Sequence, residues 1–540
     1  MTESLVSLIE SSLSRFADRP AYTCLGKTIS FRDLDQQSSA VAAWLAAQNL
    51  SPDGRVAVML PNILQNPIAI TGILRSGLIV VNMNPLYTPR ELALQLNDSG
   101  AEIIFILENF AHVLQKAHEQ FHLPHLKTVV ITQIGDLMGA KGLLINAVVR
   151  YGKRLIPKWQ LPRQWSCHSM PALLKSHAGQ TAPHIYRTAD DLAFLQYTGG
   201  TTGVAKGAML THGNVLANIL QCDDWLTPEA LRADLGEKPL TMVCALPLYH
   251  IFSLTACMML GFQTGFHNLL LPNPRDLKAT IKALHQTRVH LFPGVNTLFN
   301  ALLNHPDIGQ ADFSELKITV GGGMAVTAAV AERWKALTGC TMLEGYGLSE
   351  TSPVVAATPK HLDRFTGSVG LPMPNTEIRL IDAHGQDVAP GKAGEIAVRG
   401  PQVMKGYWNH PKETAESFTP DHFFKTGDIG QFDQDGFLHI LDRKKDMILV
   451  SGFNVYPSEI EEVVSELPGV LEAAAVGVPD PHCGEAVKLF VVRRDPALSE
   501  QAIRSHCAQH LTNYKRPRDI EFRNELPKTN VGKVLRRALR

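Results

Sequence analysis

The arrangement of apolar and polar positions predicts an α/β fold over the first four-fifths of the chain. Residues 55–60, 78–83 and 102–107 form short, almost uninterrupted apolar runs, which are typical of strands buried on both faces. Residues 31–47 and 89–96 alternate with these runs and carry apolar side chains at helical spacing. This alternation of strand and helix predicts doubly wound parallel sheets.

The pattern changes in the last third of the chain. Residues 391–400 and 436–441 have the length of short strands bounded by turns and predict a small β-barrel or sandwich. Five of the six residues 442–447 are charged, which is typical of a solvated linker. We therefore expect a large N-terminal domain of residues 1–441, a hinge at 442–447 and a small, mobile, mixed α+β domain of residues 448–540. The elements predicted in the small domain are a helix at 458–466, strands at 470–478 and 488–493, and a helix at 500–510.

Composition narrows the class of protein. The 540 residues are 45% apolar and contain 51 basic and 51 acidic side chains, which favours a globular protein and argues against general nucleic-acid binding. The eight cysteines are scattered without a Cys-x-x-Cys pair, so we expect a reduced, cytoplasmic protein without a zinc site. The N-terminus lacks a basic segment before its apolar residues and predicts an amphipathic helix, not a signal peptide.

Two segments bear on contact with membranes. Residues 239–274 lack Asp, Glu, Lys and Arg, but polar residues and prolines interrupt them, so we predict a buried strand, a turn and a core helix and not a membrane span. The last 26 residues carry nine basic and three acidic side chains, which favours an anionic cosubstrate or a membrane surface over nucleic acid. Peripheral contact with the inner face of the cytoplasmic membrane stays open, as does a homodimer.

The most informative motif is the run Tyr-Thr-Gly-Gly-Thr-Thr-Gly-Val-Ala-Lys-Gly at residues 197–207, between two predicted strands. Glycine N–H groups can surround an anion, threonine hydroxyls add donors, and Lys206 adds a compact positive charge. The run therefore predicts a clamp for a polyphosphate. It lacks the Gly-Lys-Ser/Thr sequence of a P-loop, so an ordinary ATPase is excluded.

Four further motifs are weak when taken singly. The glycines at 321–323 could lie against a purine ring or form a plain tight turn. The segment 344–353 offers an aromatic ring, a hydroxyl and the carboxylate of Glu350, which suits a hard cation if it is not a surface charge. Asp428, after a Thr-Gly turn, could accept ribose hydroxyls, and Lys533 follows a glycine in a tail that could enter a cleft.

Together and in this order, the motifs resemble those of the acyl-adenylate-forming (AMP-binding) superfamily of acyl-CoA synthetases, luciferases and adenylation domains. The resemblance covers essentially the whole chain. Within the superfamily, residues 195–211, 246–252, 294–302 and 442–457 most resemble the bacterial long-chain fatty acid–CoA ligases. The resemblance implies ATP-dependent formation of acyl-CoA from a fatty acid and CoA through an acyl-AMP intermediate, with Mg²⁺ as the metal.

The resemblance also implies roles for individual residues. Catalysis would involve Lys533, Lys206, Glu350 and His250, with Glu350 also holding the metal and Lys445 acting as the hinge. The phosphates would be held by Thr198, Gly199, Gly200, Thr201, Thr202, Gly203, Lys206 and Ser349. The adenine and ribose would contact Gly321, Gly322, Gly323, Glu344, Gly345, Tyr346, Gly347, Asp428 and Arg443. The acyl group and CoA would contact His250, Val295, Asn296, Gly322 and Gly452.

Other functions stay open at this point. A medium-chain or aryl acid–CoA ligase, or an enzyme that passes acyl-AMP to a carrier protein, would need the same motifs. A silent acyl- or nucleotide-binding protein would not need the charges of Lys206, Glu350 and Lys533. His250 lies in an apolar run, where a lone histidine is more often a hydrogen-bonded core residue, and only the motif around it makes a functional role about as frequent. The chain has no Gly-x-Ser-x-Gly motif, so no serine is expected to act as a hydrolase nucleophile.

Overall fold

A computed structural model describes residues 4–198, 205–226, 240–481, 483–529 and 532–540. The described strands form four sheets. In chain order the strands are β1 (Pro20–Cys24), β2 (Lys27–Ser30), β3 (Arg55–Met59), β4 (Ile79–Asn82), β5 (Ile103–Leu107), β6 (Thr128–Thr132), β7 (Ser166–Ser169), β8 (Leu192–Thr198), β9 (Lys206–Thr211), β10 (Thr241–Cys244), β11 (His267–Leu270), β12 (Leu291–Gly294), β13 (Ile318–Gly322), β14 (Met342–Gly347), β15 (Val354–Ala357), β16 (Leu371–Pro372), β17 (Glu377–Ile381), β18 (Gly394–Arg399), β19 (Phe424–Phe432), β20 (Leu438–Arg443), β21 (Ile448–Val450), β22 (Phe453–Val455), β23 (Val470–Asp480), β24 (Gly484–Arg493) and β25 (Asp519–Arg523).

The helices lie between these strands. They are α1 (Leu5–Arg15), α2 (Phe31–Ala46), α3 (Gln65–Arg75), α4 (Pro89–Ser99), α5 (Ala111–Gln120), α6 (Gly139–Ala147), α7 (Met170–Ser176), α8 (His212–Leu226), α9 (Ile251–Ser253), α10 (Leu260–Thr264), α11 (Leu277–Gln286), α12 (Asn296–Leu303), α13 (Ala328–Thr338), α14 (Pro411–Ser417), α15 (Pro457–Ser465) and α16 (Glu500–His510). Two π-helical turns, Val148–Gly152 and Leu254–Met259, continue α6 and join α9 to α10.

Two large sheets form the N-terminal region, as the alternation of strands and helices predicts. One has seven strands in the order β7-β6-β5-β3-β4-β8-β9, all parallel except β9. The other has nine strands in the order β16-β15-β14-β13-β12-β10-β11-β1-β2, with β2, β15 and β16 antiparallel to their neighbours. Strand order reverses inside each sheet, which makes both doubly wound.

Local sequence explains where these elements begin. Helix α2 begins after Ser30, whose hydroxyl accepts a hydrogen bond from the Asp33 N–H, while the Asp33 carboxylate accepts one from the Ser30 N–H. Thr88 and Glu91 form the same capping box at the start of α4, with Pro89 in its first turn. The apolar runs at 55–60 and 102–107 form β3 and β5, whose residues are almost all buried.

The uncharged segment 239–274 belongs to the core in its described part. It forms β10, the short helices α9 and α10 with the π-helical turn between them, and β11. None of the helices in the described parts of the chain combines the length and apolarity needed to cross a bilayer.

Two smaller sheets follow. Strands β17 to β20 pair in chain order and form an open antiparallel sheet. Of the barrel and the sandwich that the sequence predicts for this region, the described strands therefore do not form a closed barrel. The C-terminal sheet has the order β22-β21-β24-β23, with β25 parallel to β24. Helices α15 and α16 pack on it through Ile460, Val464 and Ile503, which confirms a mixed α+β arrangement. The domain boundaries at 441 and 447 stay predictions; Asp442 and Arg443, assigned to the linker, lie in β20.

Candidate active site

A cavity of about 1780 Å³ lies between the large sheets and the C-terminal sheet. The carboxyl ends of five strands line it: β4, β8, β12, β13 and β14. Open parallel sheets bind ligands at this edge, where the strands end and the chain turns. The charged residues of the second half of the chain, up to Arg540, close the cavity from the other side.

Lys533 enters this cavity from the C-terminal tail, as its position after a glycine predicts. Its side chain is half-buried, and a Cβ atom placed on Gly323 would lie 3.7 Å from its Cε atom. Burial, followed by the charge of Arg443, lowers the pKa of Lys533 to about 8, while Asp428 and Glu350 act in the opposite direction. The cavity therefore holds an ammonium group that gains strongly from any anion bound beside it.

The tail that carries Lys533 is docked on the N-terminal region. The Thr297 hydroxyl donates a hydrogen bond to the Gly532 carbonyl oxygen at 3.3 Å. The Asn300 amide donates to the Leu471 carbonyl at the same distance. Val295, which follows β12, packs between Gly323 and Gly532, its methyl groups 3.8 and 3.7 Å from Cβ atoms placed on them. These contacts hold the small domain where its lysine faces the glycine cluster.

Asp428 is buried at the centre of a group of three polar residues. The Tyr346 hydroxyl donates to Asp428 Oδ2 at 2.6 Å, and Arg443 Nε lies 3.0 Å from Oδ1. Asp428 and Arg443 face each other in the register of β19 and β20, so strand pairing sets this ion pair. The charge of Asp428 raises the pKa of Arg443, and burial followed by Asp428 raises the pKa of Tyr346. The three residues can present both an acceptor and donors to a hydroxylated ligand.

Glu350 is buried on another side of the cavity. Burial raises its pKa, and its described side-chain partner is Tyr407, whose hydroxyl donates to Oε1 at 2.9 Å. The same tyrosine ring lies 5.3 Å from Lys206 Nζ, in cation–π contact. Sequence reasoning missed Tyr407, because only the pairing of its segment with β9, through the Trp408 N–H and the Gly207 carbonyl, brings it to the site.

The glycine cluster at the end of β13 is a surface from which side chains are excluded. A Cβ atom on Gly321 would lie 2.3 Å from Val326 Cγ2, and one on Gly322 would lie 2.9 Å from Phe252 Cε1. Gly323 has φ +74°, which favours glycine. A flat ring could therefore lie directly against the backbone. Gly345 and Gly347, at the end of β14, line the same part of the cavity, together with Ser349.

Glu344 is a buried carboxyl group at the edge of this surface. The Val326 N–H donates to its Oε1 atom at 3.3 Å, while Oε2 is buried without a hydrogen-bond partner among the described residues. Burial raises the pKa of Glu344 to about 8, so it is mostly protonated at neutral pH. The protonated group can donate to, and accept from, a polar ligand edge.

One group of the residues that line the cavity is apolar, and we call it the apolar lobe. It includes Cys222, Leu226, Met242, Ala256, Leu260, Leu291, Ile318 and Leu343. His250 also lines the cavity, and its Nδ1 accepts a hydrogen bond from the Phe252 N–H at 3.3 Å; burial lowers the pKa of His250 to about 3. Neutral His250 can thus offer its other ring nitrogen as a donor. Asn296 also lines the cavity, with its side-chain oxygen bonded to the Thr327 N–H.

The structure separates one predicted residue from the others. Gly452 is exposed, at φ +84° in the turn between β21 and β22, outside the cavity. Lys445 lies at the rim, and burial lowers its pKa. Of the predicted phosphate clamp, Thr198 and Lys206 line the cavity, whereas Gly199, Gly200, Thr201, Thr202 and Gly203 lie outside the described residues.

Comparison with known proteins places this arrangement among enzymes that bind AMP. Residues 9–408 match the AMP-binding enzyme family, and residues 459–533 match the AMP-binding enzyme C-terminal domain. The long-chain-fatty-acid–CoA ligase of Salmonella typhimurium is 53% identical, over 100% of this chain and 94% of that protein. The protein of the same name from Bacillus subtilis is 38% identical, over 99% of this chain and 94% of that protein.

Solved structures agree with this comparison. ATP-bound MatB from Rhodopseudomonas palustris is 28% identical, with a TM-score of 0.80 over 99% of this chain and 98% of that one. An anthranilate CoA ligase in complex with anthranoyl-AMP shares the fold, with a TM-score of 0.86 at 24% identity, over 99% of this chain and 96% of that one. The chain belongs to the AMP-binding enzyme family.

Proposed function

We propose that the protein is an ATP-dependent long-chain fatty acid–CoA ligase, which converts a fatty acid, ATP and CoA into acyl-CoA, AMP and pyrophosphate. The observation that carries the proposal is the position of Lys533, which is half-buried beside the glycine cluster, within the electrostatic influence of Asp428, in a cavity that also has an apolar lobe. The cavity thus offers polar residues for a nucleotide, apolar residues for an alkyl chain, and the cation of Lys533 where we propose that the two meet. Relatives about 50% identical over the full chain carry the name of this activity.

The first step is adenylation. A carboxylate oxygen of the fatty acid bonds to the α-phosphorus of ATP while the bond from that phosphorus to the bridging oxygen breaks, releasing pyrophosphate. Both reactants are anionic, so the step needs positive charge where they meet. Lys533 and Lys206 supply it from opposite sides of the cavity, and the fixed side chains align the reactants.

The nucleoside is held by the polar group around Asp428 and by the glycine surface. The Asp428 carboxylate accepts hydrogen bonds from the ribose hydroxyls, and its contacts with Arg443 and Tyr346 hold it in position. The adenine ring lies against residues 321–323, where no side chain fits. Glu344 gives its unpartnered oxygen to a polar edge of the base.

Glu350 suits a divalent cation. It is a buried carboxylate inside the cavity with one side-chain partner, and hard cations such as Mg²⁺ take oxygen ligands of this kind. When bound, Mg²⁺ would offset charge on the phosphates. Tyr407 orients the carboxylate for this role through its hydroxyl.

The second step makes the thioester. The CoA sulfur bonds to the acyl carbon as the bond to AMP breaks, and neither bond involves a protein nucleophile. Lys533 lies inside the cavity while Gly452 lies outside it, so one position of the small domain cannot serve both residues. We propose that the domain rotates about Lys445 between the steps and brings Gly452 to the pantetheine chain.

We place this reaction in the cytoplasm, with peripheral contact to the inner face of the cytoplasmic membrane. The described cysteines are all free, as in a reducing compartment. A long-chain acid partitions into bilayers, so contact with one gives the enzyme access to its substrate.

The test measures AMP, pyrophosphate and acyl-CoA from ATP, CoA and straight-chain acids from hexanoic to octadecanoic, with and without CoA. We expect acyl-CoA formation that is greatest for the long chains. A maximum at hexanoic or octanoic acid would indicate a medium-chain acid as the substrate, and higher activity with benzoate, tested in parallel, would indicate an aryl acid. Pyrophosphate release without acyl-CoA from any acid would indicate a different acceptor, such as a carrier protein.

A further inference from the structure

An exposed apolar surface lies far along the sequence from the residues of the cavity, on helix α6 and the turns that follow it. Leu143 and Tyr151 are each 75% exposed, Leu144 is 67% exposed and Leu155 is 54% exposed. Five of the thirteen large apolar residues that the described chain exposes fall between positions 143 and 155. Single exposed apolar residues are ordinary, but a cluster of this kind marks an interaction surface.

The charge of the same segment is entirely positive. The sequence holds no acidic residue between Asp136 and Asp190, where it has eight Lys and Arg, although the whole chain has equal numbers of acidic and basic residues. The exposed residues Lys153, Arg154 and Lys158 lie within this stretch. Their side chains make no ion pair within the described parts of the protein, so their charges are free to meet an outside anion.

The segment is firmly attached beneath this surface. Arg150 forms an ion pair with the buried Glu108, and the Trp159 ring N–H donates to the same carboxylate at 3.1 Å. The Asn109 amide donates to the Leu155 carbonyl at 3.1 Å. The anchored side chains therefore face the seven-stranded sheet, while the leucines and the free cations face outward.

We propose that residues 139–158, called here the basic apolar segment, bind the surface of an anionic lipid bilayer. Leucine and tyrosine side chains beside unpaired lysine and arginine are the composition that inserts into a headgroup layer while attracting its charge. A protein partner with an acidic surface would match the charges, but it would not need leucines exposed to this extent. The segment gives a definite location to the membrane contact that the proposed function includes.

The test is flotation of the full-length protein with vesicles, in the absence of ATP, CoA and fatty acid. We expect binding to phosphatidylcholine vesicles that contain phosphatidylglycerol, weaker binding to pure phosphatidylcholine, and loss of binding in high salt. Each Lys or Arg near an anionic surface contributes about fivefold to binding, so the triple variant Lys153→Gln, Arg154→Gln, Lys158→Gln should bind about 100-fold less tightly.

Controls separate this surface from charge and apolarity in general. The matched triple variant Lys278→Gln, Lys282→Gln, Lys392→Gln removes three exposed lysines elsewhere and should bind as the parent does. The variant Leu143→Gln, Leu144→Gln should bind vesicles weakly although its charges are intact. Leu337→Gln, which changes an exposed leucine on α13, should bind as the parent does.

The outcome is independent of the catalytic assignment, because no substrate is present. Ligase activity with acid dispersed in detergent should be unchanged in the segment variants, which shows that they fold. Equal vesicle binding by parent and segment variants would overturn the proposal. Failure of the parent to bind anionic vesicles would overturn it too, and would make an acidic protein the better partner.

Discussion

Replacing Lys533 by alanine isolates the charge on which the proposed adenylation depends. Burial lowers the pKa of this lysine from 10.5 to about 8, which corresponds to a cost of about 3 kcal/mol for keeping the ammonium charged in the cavity. The carboxylate and the phosphates offset this cost when they bind beside Lys533, because they stabilise its charged form. Removing one preorganised electrostatic donor from such a site slows reaction by about 100- to 1000-fold, and we expect Lys533→Ala to reach the upper part of this range.

Two assays separate the half-reactions. Exchange of labelled pyrophosphate into ATP, with hexadecanoate and without CoA, reports adenylation and should show the full loss. Thioester formation from supplied hexadecanoyl-AMP and CoA should be little changed, because Lys533 has no role once the acyl-AMP exists. Arg523→Ala, which removes another cation of the small domain, should leave both unchanged. Equal losses of Lys533→Ala in the two assays would refute the division of roles.

Further predictions concern pH, the nucleotide, the acyl chain and stability. Lys533 loses its positive charge as the pH rises through its pKa of about 8, so kcat/KM for pyrophosphate exchange should fall above that pH. The variant Lys533→Arg should shift this fall to higher pH, because arginine stays charged. A pH profile without a fall would contradict the prediction. Asp428→Asn weakens an acceptor that also orients Tyr346, so the KM for ATP should rise about tenfold while the KM for the fatty acid stays constant. Ala256→Phe fills part of the apolar lobe and should lower activity with octadecanoate about tenfold or more while sparing octanoate, as measured by acyl-CoA formation. Burial raises the pKa of Glu344 to about 8, so between its ordinary pKa and pH 8 the folded protein keeps a proton that the unfolded chain loses. In this range, each unit by which the pH rises should lower the free energy of unfolding by about 1.4 kcal/mol. Urea unfolding at several pH values should show that Glu344→Gln removes this slope, and an unchanged slope would place the ionised form in the folded protein.

The fold could be predicted largely because its signals are local. Buried strands such as β3 and β5 require apolar runs, and α2 requires both an amphipathic period and a cap, all within a few residues of sequence. The choice between a barrel and an open sheet for β17 to β20 depends on whether the outer strands meet, and no local pattern specifies that.

Some residues of the candidate site can be predicted from local motifs, whereas others depend on tertiary contacts. Asp428 and Lys533 follow glycines in short motifs, and such motifs are readable because close backbone approach demands specific residues. Tyr407 has no comparable signal, because its hydroxyl reaches Glu350 only through pairing of its segment with β9. The basic apolar segment was missed because leucines after a turn predict core until the structure shows them exposed.

The sequence by itself determined the class of fold, the order of the motifs and the kinds of chemical group available for binding phosphate, ribose and a metal. It did so because periodicity, turns and glycine-rich runs are imposed by neighbouring residues. Only the tertiary structure decided that Lys533 and Gly323 meet, that Gly452 stays apart from them, and which leucines are left in solvent. Those facts depend on contacts between residues that are distant in the sequence, from 42 positions for Arg150 and Glu108 to 210 positions for Lys533 and Gly323. Burial within the folded protein lowers the pKa of Lys533 and raises that of Glu344.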